Sequence, residues 1–269
     1  MNSFIKNPNF KFLKKDVCEY FEISHKIDYI LHFASTASPA DYLKYPIDTL
    51  RTGSMGTENM LKLAVKNKSI ILVASTSEVY GDPLEHPQSE SYLGNVNTIG
   101  PRGVYDEAKR YLEALTIAYK NEYKLNVKIA RIFNTYGPRM RKKDGRAIPN
   151  FINQALSNKK FSIYGDGKQT RSFSFINDTI IGIHKLLFSK YNYPINIGNP
   201  VEYTINELVK IISQIIGCKN ESNFLRLPVD DPKIRKPDIT LAKKILNWEP
   251  KISLEEGLKI TINYFRNIE

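Results

Sequence analysis

One recurrence constrains the fold of this chain most. Residues 27–35, 69–75 and 126–133 are apolar runs of strand length that end in small or polar residues. Between them, residues 57–66 and 105–123 carry apolar side chains at helical spacing. Near-continuous apolar runs suit strands covered on both faces, the condition of a parallel sheet. Strand, helix, strand, helix, strand then implies a doubly wound α/β sheet. Ligands of such sheets sit beyond the carboxyl ends of the strands, where Ser35, Thr76 and Asn134 all fall.

After Gly137-Pro138 the pattern changes to helix and loop with isolated strands, among them residues 149–156, 161–164, 177–188 and 195–198. Amphipathic helices follow at 204–217 and 254–265, the first opened by Thr204 with Glu207 three residues on, the spacing of a capping box. We divide the chain into a sheet domain, residues 1–137 with 174–200 returning to it, and a smaller substrate-facing part, residues 138–173 and 201–269.

The net charge of +11 raises the question of nucleic acid, but the lysines are dispersed and no nucleic-acid motif is present. The densest cluster, Arg139-Met140-Arg141-Lys142-Lys143, reads as solvated surface with a bias toward anionic substrates. The apolar runs fall far short of the roughly 20 residues that span a bilayer. The first residues lack the apolar centre of a signal peptide. Cys18 and Cys218 stand alone, which fits a reducing cytoplasm. His25, His32, His86 and His184 have no metal-ligand spacing, so no metal is expected, and Trp248 reads as a packing anchor.

Chemistry centres on Tyr105 and Lys109, four apart on one face of a helix, where an ammonium favours a phenolate. A phenol near pKa 10 is otherwise a poor base at neutral pH. Thr76, ending the preceding strand, is placed to hold the same substrate oxygen. Tyr-x-x-x-Lys alone is a weak motif; its position after one strand and before the next, in the order a doubly wound fold requires, is what gives it weight.

The surrounding strings are far more specific. They include His32-Phe33-Ala34-Ser35, Ser75-Thr76-Ser77-Glu78-Val79-Tyr80-Gly81-Asp82-Pro83, Gly100-Pro101-Arg102, Asp144-Gly145-Arg146, Gln169-Thr170-Arg171 and Asp231-Pro232-Lys233-Ile234-Arg235-Lys236-Pro237-Asp238. Through them nearly the whole chain resembles the extended short-chain dehydrogenase/reductase family of NAD-dependent epimerases and dehydratases, and within it the UDP-glucuronate decarboxylases.

The resemblance implies a Rossmann-like fold, NAD as cofactor, a UDP-sugar as substrate and a homodimer. It implies oxidation at C4 of the glucuronosyl ring, loss of CO2 from the β-keto acid, and reduction to UDP-xylose. Tyr105 would take and return the O4 proton, with Lys109 lowering its pKa and Thr76 holding the oxygen. Glu78 and Arg235 would face the sugar carboxylate; Asn134, Arg146 and Arg171 the diphosphate; and Tyr164 the uracil. Ala34 and Ser35, with Tyr105 and Lys109, would touch the cofactor, and Asp16 its adenine side.

One departure stands out. Dinucleotide-binding folds open with a strand, a glycine-rich turn and a helix, whereas the first glycine here is Gly53. Residues 9–17 resemble the family's third strand, so the first strand, helix and second strand are absent from the sequence as given. A start placed too late, a split gene and a true fragment are the alternatives. Gly53 aligns with the middle of a later helix where relatives have asparagine, and a helix-interior glycine costs roughly 1 kcal/mol against alanine. A related 4,6-dehydratase or 4-epimerase, and a non-catalytic remnant that binds nucleotide sugar, stand as the competing functions.

Overall fold

The computed structural model describes residues 2–227, 232 and 234–267, so Asp231 and Lys233 of the 231–238 string lie outside the described residues. In chain order the elements are helix α1 (Asn2–Ile5), strand β1 (Tyr29–His32), helices α2 (Pro39–Lys44) and α3 (Pro46–Arg51), a π-helical turn (Thr52–Gly56), α4 (Thr57–Asn67), β2 (Ile70–Thr76) and α5 (Gly103–Tyr123). Next come β3 (Val127–Ile132), β4 (Thr135–Tyr136), α6 (Ala147–Leu156), β5 (Phe161–Tyr164), β6 (Thr170–Ser172), β7 (Ser174–Phe175), α7 (Ile176–Leu187) and β8 (Pro194–Ile197). After these run β9 (Glu202–Thr204), α8 (Ile205–Ile216), β10 (Ser222–Leu225), α9 (Thr240–Leu246) and α10 (Leu254–Arg266).

The three apolar runs become β1, β2 and β3, joined by β8 in an all-parallel sheet of order β1-β2-β3-β8. Side-chain alternation sorts them between two layers. Ile71, Val73 and Ile129 point to α4 and α5, where Leu61, Ala64 and Leu112 meet them. Leu72 and Ala130 point the other way, to Leu186, Ile195, Leu246 and Trp248 beneath α7 and α9. Helices therefore cover both faces, as the sequence pattern implies. A third core, with Phe151, Phe161, Phe175, Leu208, Leu258 and Phe265, joins α6, α8 and α10. The capping box forms as expected: Thr204 Oγ1 accepts from the Glu207 N–H at 3.1 Å, and the Glu207 carboxylate accepts from the Thr204 N–H at 2.7 Å.

Two expectations need correction. Residues 9–17 form no strand, and β1 is an edge of the sheet with Tyr29 and Leu31 about half exposed. A strand exists only where a ladder partner satisfies its backbone, and among the described residues no strand pairs with residues 9–17, which meet α4 where the Val17 carbonyl accepts from Asn59 Nδ2 at 2.9 Å. Gly53 lies in the π-helical turn rather than in regular α-helix, pressed against α5. A Cβ there would stand 2.7 Å from the Cβ of Ala108 and 2.8 Å from its carbonyl oxygen. The glycine is thus what lets this turn approach the helix carrying Tyr105 and Lys109, and its helix cost is offset by that contact.

Candidate active site

A cavity of about 780 Å3 opens over the carboxyl ends of β1, β2 and β3, between the sheet and the third core. Its wall brings together Ser35, Thr76, Glu78, Tyr105 and Lys109 from the sheet side. Asn134, Arg146, Tyr164, Arg171 and Arg235 complete it from the opposite side. Two expected residues are not on this wall. Ala34 is half-buried beside it, and Asp16 is held in a local turn in which its Oδ1 accepts the Cys18 N–H at 2.9 Å.

Helix α5 carries Tyr105 and Lys109 to the cavity, one turn apart, both buried. Burial and the Glu78 carboxylate push the Tyr105 phenol well above its ordinary value, while a hydrogen bond with Thr76 and the charge of Arg146 pull it down. Lys109 Nζ donates to the Ala74 carbonyl at 2.7 Å and lies 5.8 Å from the Tyr105 ring centroid. Desolvation lowers the Lys109 ammonium to about 8. Thr76 is held by the turn it caps, its Oγ1 accepting from the Glu78 N–H at 3.3 Å. Tyr42 of α2, absent from the sequence reading, stacks on Tyr105 with centroids 5.1 Å apart and planes 8° from parallel. This fixes the ring's rotation.

Glu78 sits in the 3-10 turn after β2 (Ser77–Tyr80), between two guanidiniums. One carboxylate oxygen accepts from Arg102 and the other from Arg235. Burial would raise the Glu78 carboxyl, but Arg235, Arg102 and then Arg171 outweigh it and hold the group below the ordinary carboxylate range. Arg235 is itself buried and donates from Nη2 to the Gly81 carbonyl at 2.9 Å. Gly81 takes φ 65°, and a Cβ there would stand 1.9 Å from the Asn95 carbonyl oxygen, so only glycine allows the turn. Arg102, at the end of a loop without periodicity, was missed as a site residue; its only sequence signal is the Gly100-Pro101-Arg102 string.

On the far wall, Asn134 Nδ2 donates to the Ser172 carbonyl at 3.3 Å, and Arg146 pairs with the buried Asp144, one contact being 2.9 Å. Arg171 Nη1 donates to the Thr170 carbonyl at 2.8 Å. Tyr164 is 46% exposed at the cavity, so its ring is a wall and not core. Arginines 102, 146, 171 and 235 make the pocket strongly cationic, apt for an anionic ligand that offers several oxygens. Apart from these, His32 packs in the sheet layer with Nε2 3.1 Å from Thr57 Oγ1, and burial lowers it to about 4.

A parallel sheet with a Thr, Tyr and Lys converging beyond its strand ends defines a dehydrogenase/reductase-type α/β protein. Residues 2–261 match the family described as GDP-mannose 4,6 dehydratase, and the chain belongs to that family of NAD-dependent epimerases and dehydratases. It is 49% identical over 262 residues to UDP-glucuronic acid decarboxylase 1 of Xenopus tropicalis, an alignment covering 97% of this chain and 62% of the relative. The chain thus spans less than two thirds of that relative's length. It is 46% identical over 266 residues to UDP-glucuronic acid decarboxylase 5 of Arabidopsis thaliana, covering 99% of this chain and 77% of that one. Among solved structures it is similar to UDP-glucuronic acid 4-epimerase from Bacillus cereus in complex with UDP-glucuronic acid and NAD, with TM-score 0.86, 28% identity, and coverage of 100% and 85%.

The residues present fit the nicotinamide-ribose half of NAD: Tyr105 and Lys109 supply hydroxyl and ammonium groups beside Ser35 and the ends of β1 and β2. Among the described residues no glycine-rich turn follows β1, and Gly53 is packed against α5.

Proposed function

We propose that this site decarboxylates UDP-glucuronate to UDP-xylose through a 4-keto intermediate. The observation that carries the reading is the Arg102–Glu78–Arg235 cluster on the cavity wall that also bears Thr76 and Tyr105. Guanidiniums beside the acid–base residues suit a sugar that carries a carboxylate, which a neutral sugar lacks. The decarboxylase relatives support the same choice.

NAD would supply the hydride acceptor at C4 and the donor that later restores it. Tyr105, on the same cavity wall as Thr76, takes the O4 proton and gives it back. With Lys109 beside it, substrate binding brings the O4 hydroxyl to the phenol in the one orientation that the Tyr42 stack permits. The ketone β to the carboxylate is the electron sink for loss of CO2. Arg235 and Arg171 hold the carboxylate and diphosphate ends, with Arg146 and Asn134 on the diphosphate and Tyr164 against the uracil.

Calorimetric titration tests the reading. UDP-glucuronate should bind at least 10-fold more tightly than UDP-glucose, because a charge-assisted hydrogen bond is worth about 1.5–3 kcal/mol. Equal affinity for both would overturn it. UDP-sugar binding without NAD binding would support a non-catalytic binding protein instead. The related 4-epimerase reading, favoured by the similar Bacillus cereus structure, predicts a UDP-hexuronate product that keeps its carboxylate.

A further inference from the structure

Behind the Glu78 cluster lies a second cavity of about 250 Å3. Exposed Asp82, Asn95 and Asn97 stand at its outer end, and Arg102 and Asp106 at its inner end. Arg102 also lines the main cavity, so its side chain forms the partition between the two. Asp106 follows Tyr105 on α5, about 100° further round the helix. It is only 5% exposed, yet its Oδ1 has no hydrogen-bond partner among the described residues. A buried carboxylate oxygen without a partner is costly unless the group is protonated or water reaches it. The main cavity gives Asp106 no role in binding.

We propose that Asp106 and this cavity form the proton entry of the reaction, Asp106 supplying through Glu78 the proton that the sugar ring takes up when CO2 leaves. The inference rests on the decarboxylase reading. In that reaction the bond between C5 and the carboxyl carbon breaks, CO2 departs, and the electron pair left behind forms the enolate of the 4-ketone. C5 then takes a proton. The hydride removed from C4 returns to it, and the proton taken from O4 returns to O4, so one proton per turnover must come from outside.

Glu78 is a carrier and not a store, since both its oxygens face arginines and its resting form is the anion. Asp106 is the store. Burial first, then Glu78 and Glu107, raise its carboxyl, Arg102 and Arg235 oppose them, and the group ends at about 7. The Asp82 carboxylate stands across the small cavity, whose exposed end connects Asp106 to water for reprotonation.

The test combines two readouts on the wild type, Asp106→Asn and Asp106→Glu. Infrared difference titration of the protein alone should show a protonated carboxyl band that disappears through neutral pH and is missing in Asp106→Asn. With UDP-glucuronate and NAD, Asp106→Asn should form UDP-xylose at least 10-fold more slowly while NADH absorbance accumulates. Its KM should stay within about threefold, and Asp106→Glu should recover most of the rate. Absence of the titrating band, or wild-type turnover by Asp106→Asn across pH 6 to 8, overturns the proton entry alone. A wild type that releases no CO2 overturns the decarboxylase reading itself, and this role with it.

Discussion

Replacing Arg102 with methionine probes the electrostatics of the Glu78 cluster. Both partners of the pair are largely buried, with side-chain exposures of 16% for Arg102 and 13% for Glu78. An exposed ion pair is worth about 0–1 kcal/mol, whereas stripping a buried charge of its partner costs about 3–5 kcal/mol. Arg235 stays in contact with the other oxygen of Glu78, so the expected loss falls just below that range, about 2–3 kcal/mol. The sign with pH follows from the depressed carboxyl. Its contribution is fully present above the ordinary value of 4.5 and is lost as pH falls through the lower folded-state value. The stability deficit of Arg102→Met should therefore narrow in two steps as pH falls, first through about 7, where Asp106 protonates and loses its attraction to Arg102, and again below roughly pH 5, where Glu78 does. Urea denaturation of both proteins at a series of pH values measures this, and a cycle with Glu78→Gln should return a coupling of about 2 kcal/mol. A deficit under about 1 kcal/mol, or one that does not change with pH, would refute the reasoning.

Four further substitutions follow from the same geometry. Tyr105→Phe should slow turnover by about 10²–10⁴-fold, as loss of a general acid–base group does, while calorimetry finds UDP-glucuronate binding nearly intact. Lys109→Met should stabilise the fold by about 1–2 kcal/mol at pH 7, because Lys109 titrates near 8 in the folded protein against an ordinary 10.5 and bears a desolvation penalty that its bond to Ala74 only partly offsets. That advantage should fade as pH rises from 8 toward 10.5, which denaturation across this range checks. Gly53→Ala should destabilise by about 1–3 kcal/mol, since the new methyl meets Ala108 and pushes on α5, visible as a lower melting temperature. Thr204→Ala should cost about 1 kcal/mol through the lost cap, with no change in ligand affinity.

The sheet was legible because its strands are apolar on both faces: Ile71, Leu72 and Val73 are all fully buried, and no amphipathic alternative competes with that run. The helices of the third core were legible from periodicity, and Thr204 with Glu207 announced its own cap. Ten of the twelve expected site residues reached the cavity wall, drawn there by specific strings around strand ends, not by spacing alone. What escaped was geometry that depends on neighbours. Arg102 and Tyr42 act by where a loop and a short helix are laid against Glu78 and Tyr105, and neither element has a period to read. The strand expected at residues 9–17 failed because a strand needs a partner ladder. Gly53, read as a helix defect, is a contact point, because its value lies in the approach of Ala108 and not in its own helix. Lys109 illustrates the same limit: the four-residue spacing put it beside Tyr105, but the Ala74 carbonyl decides where its charge rests.

The most direct test of the central claim is to incubate the protein and NAD with UDP-glucuronate labelled with carbon-13 at the carboxyl carbon, and to follow the label by NMR. Labelled CO2 appearing in step with UDP-xylose is the predicted result. A product that retains the labelled carboxylate, such as the 4-epimer, would contradict the account.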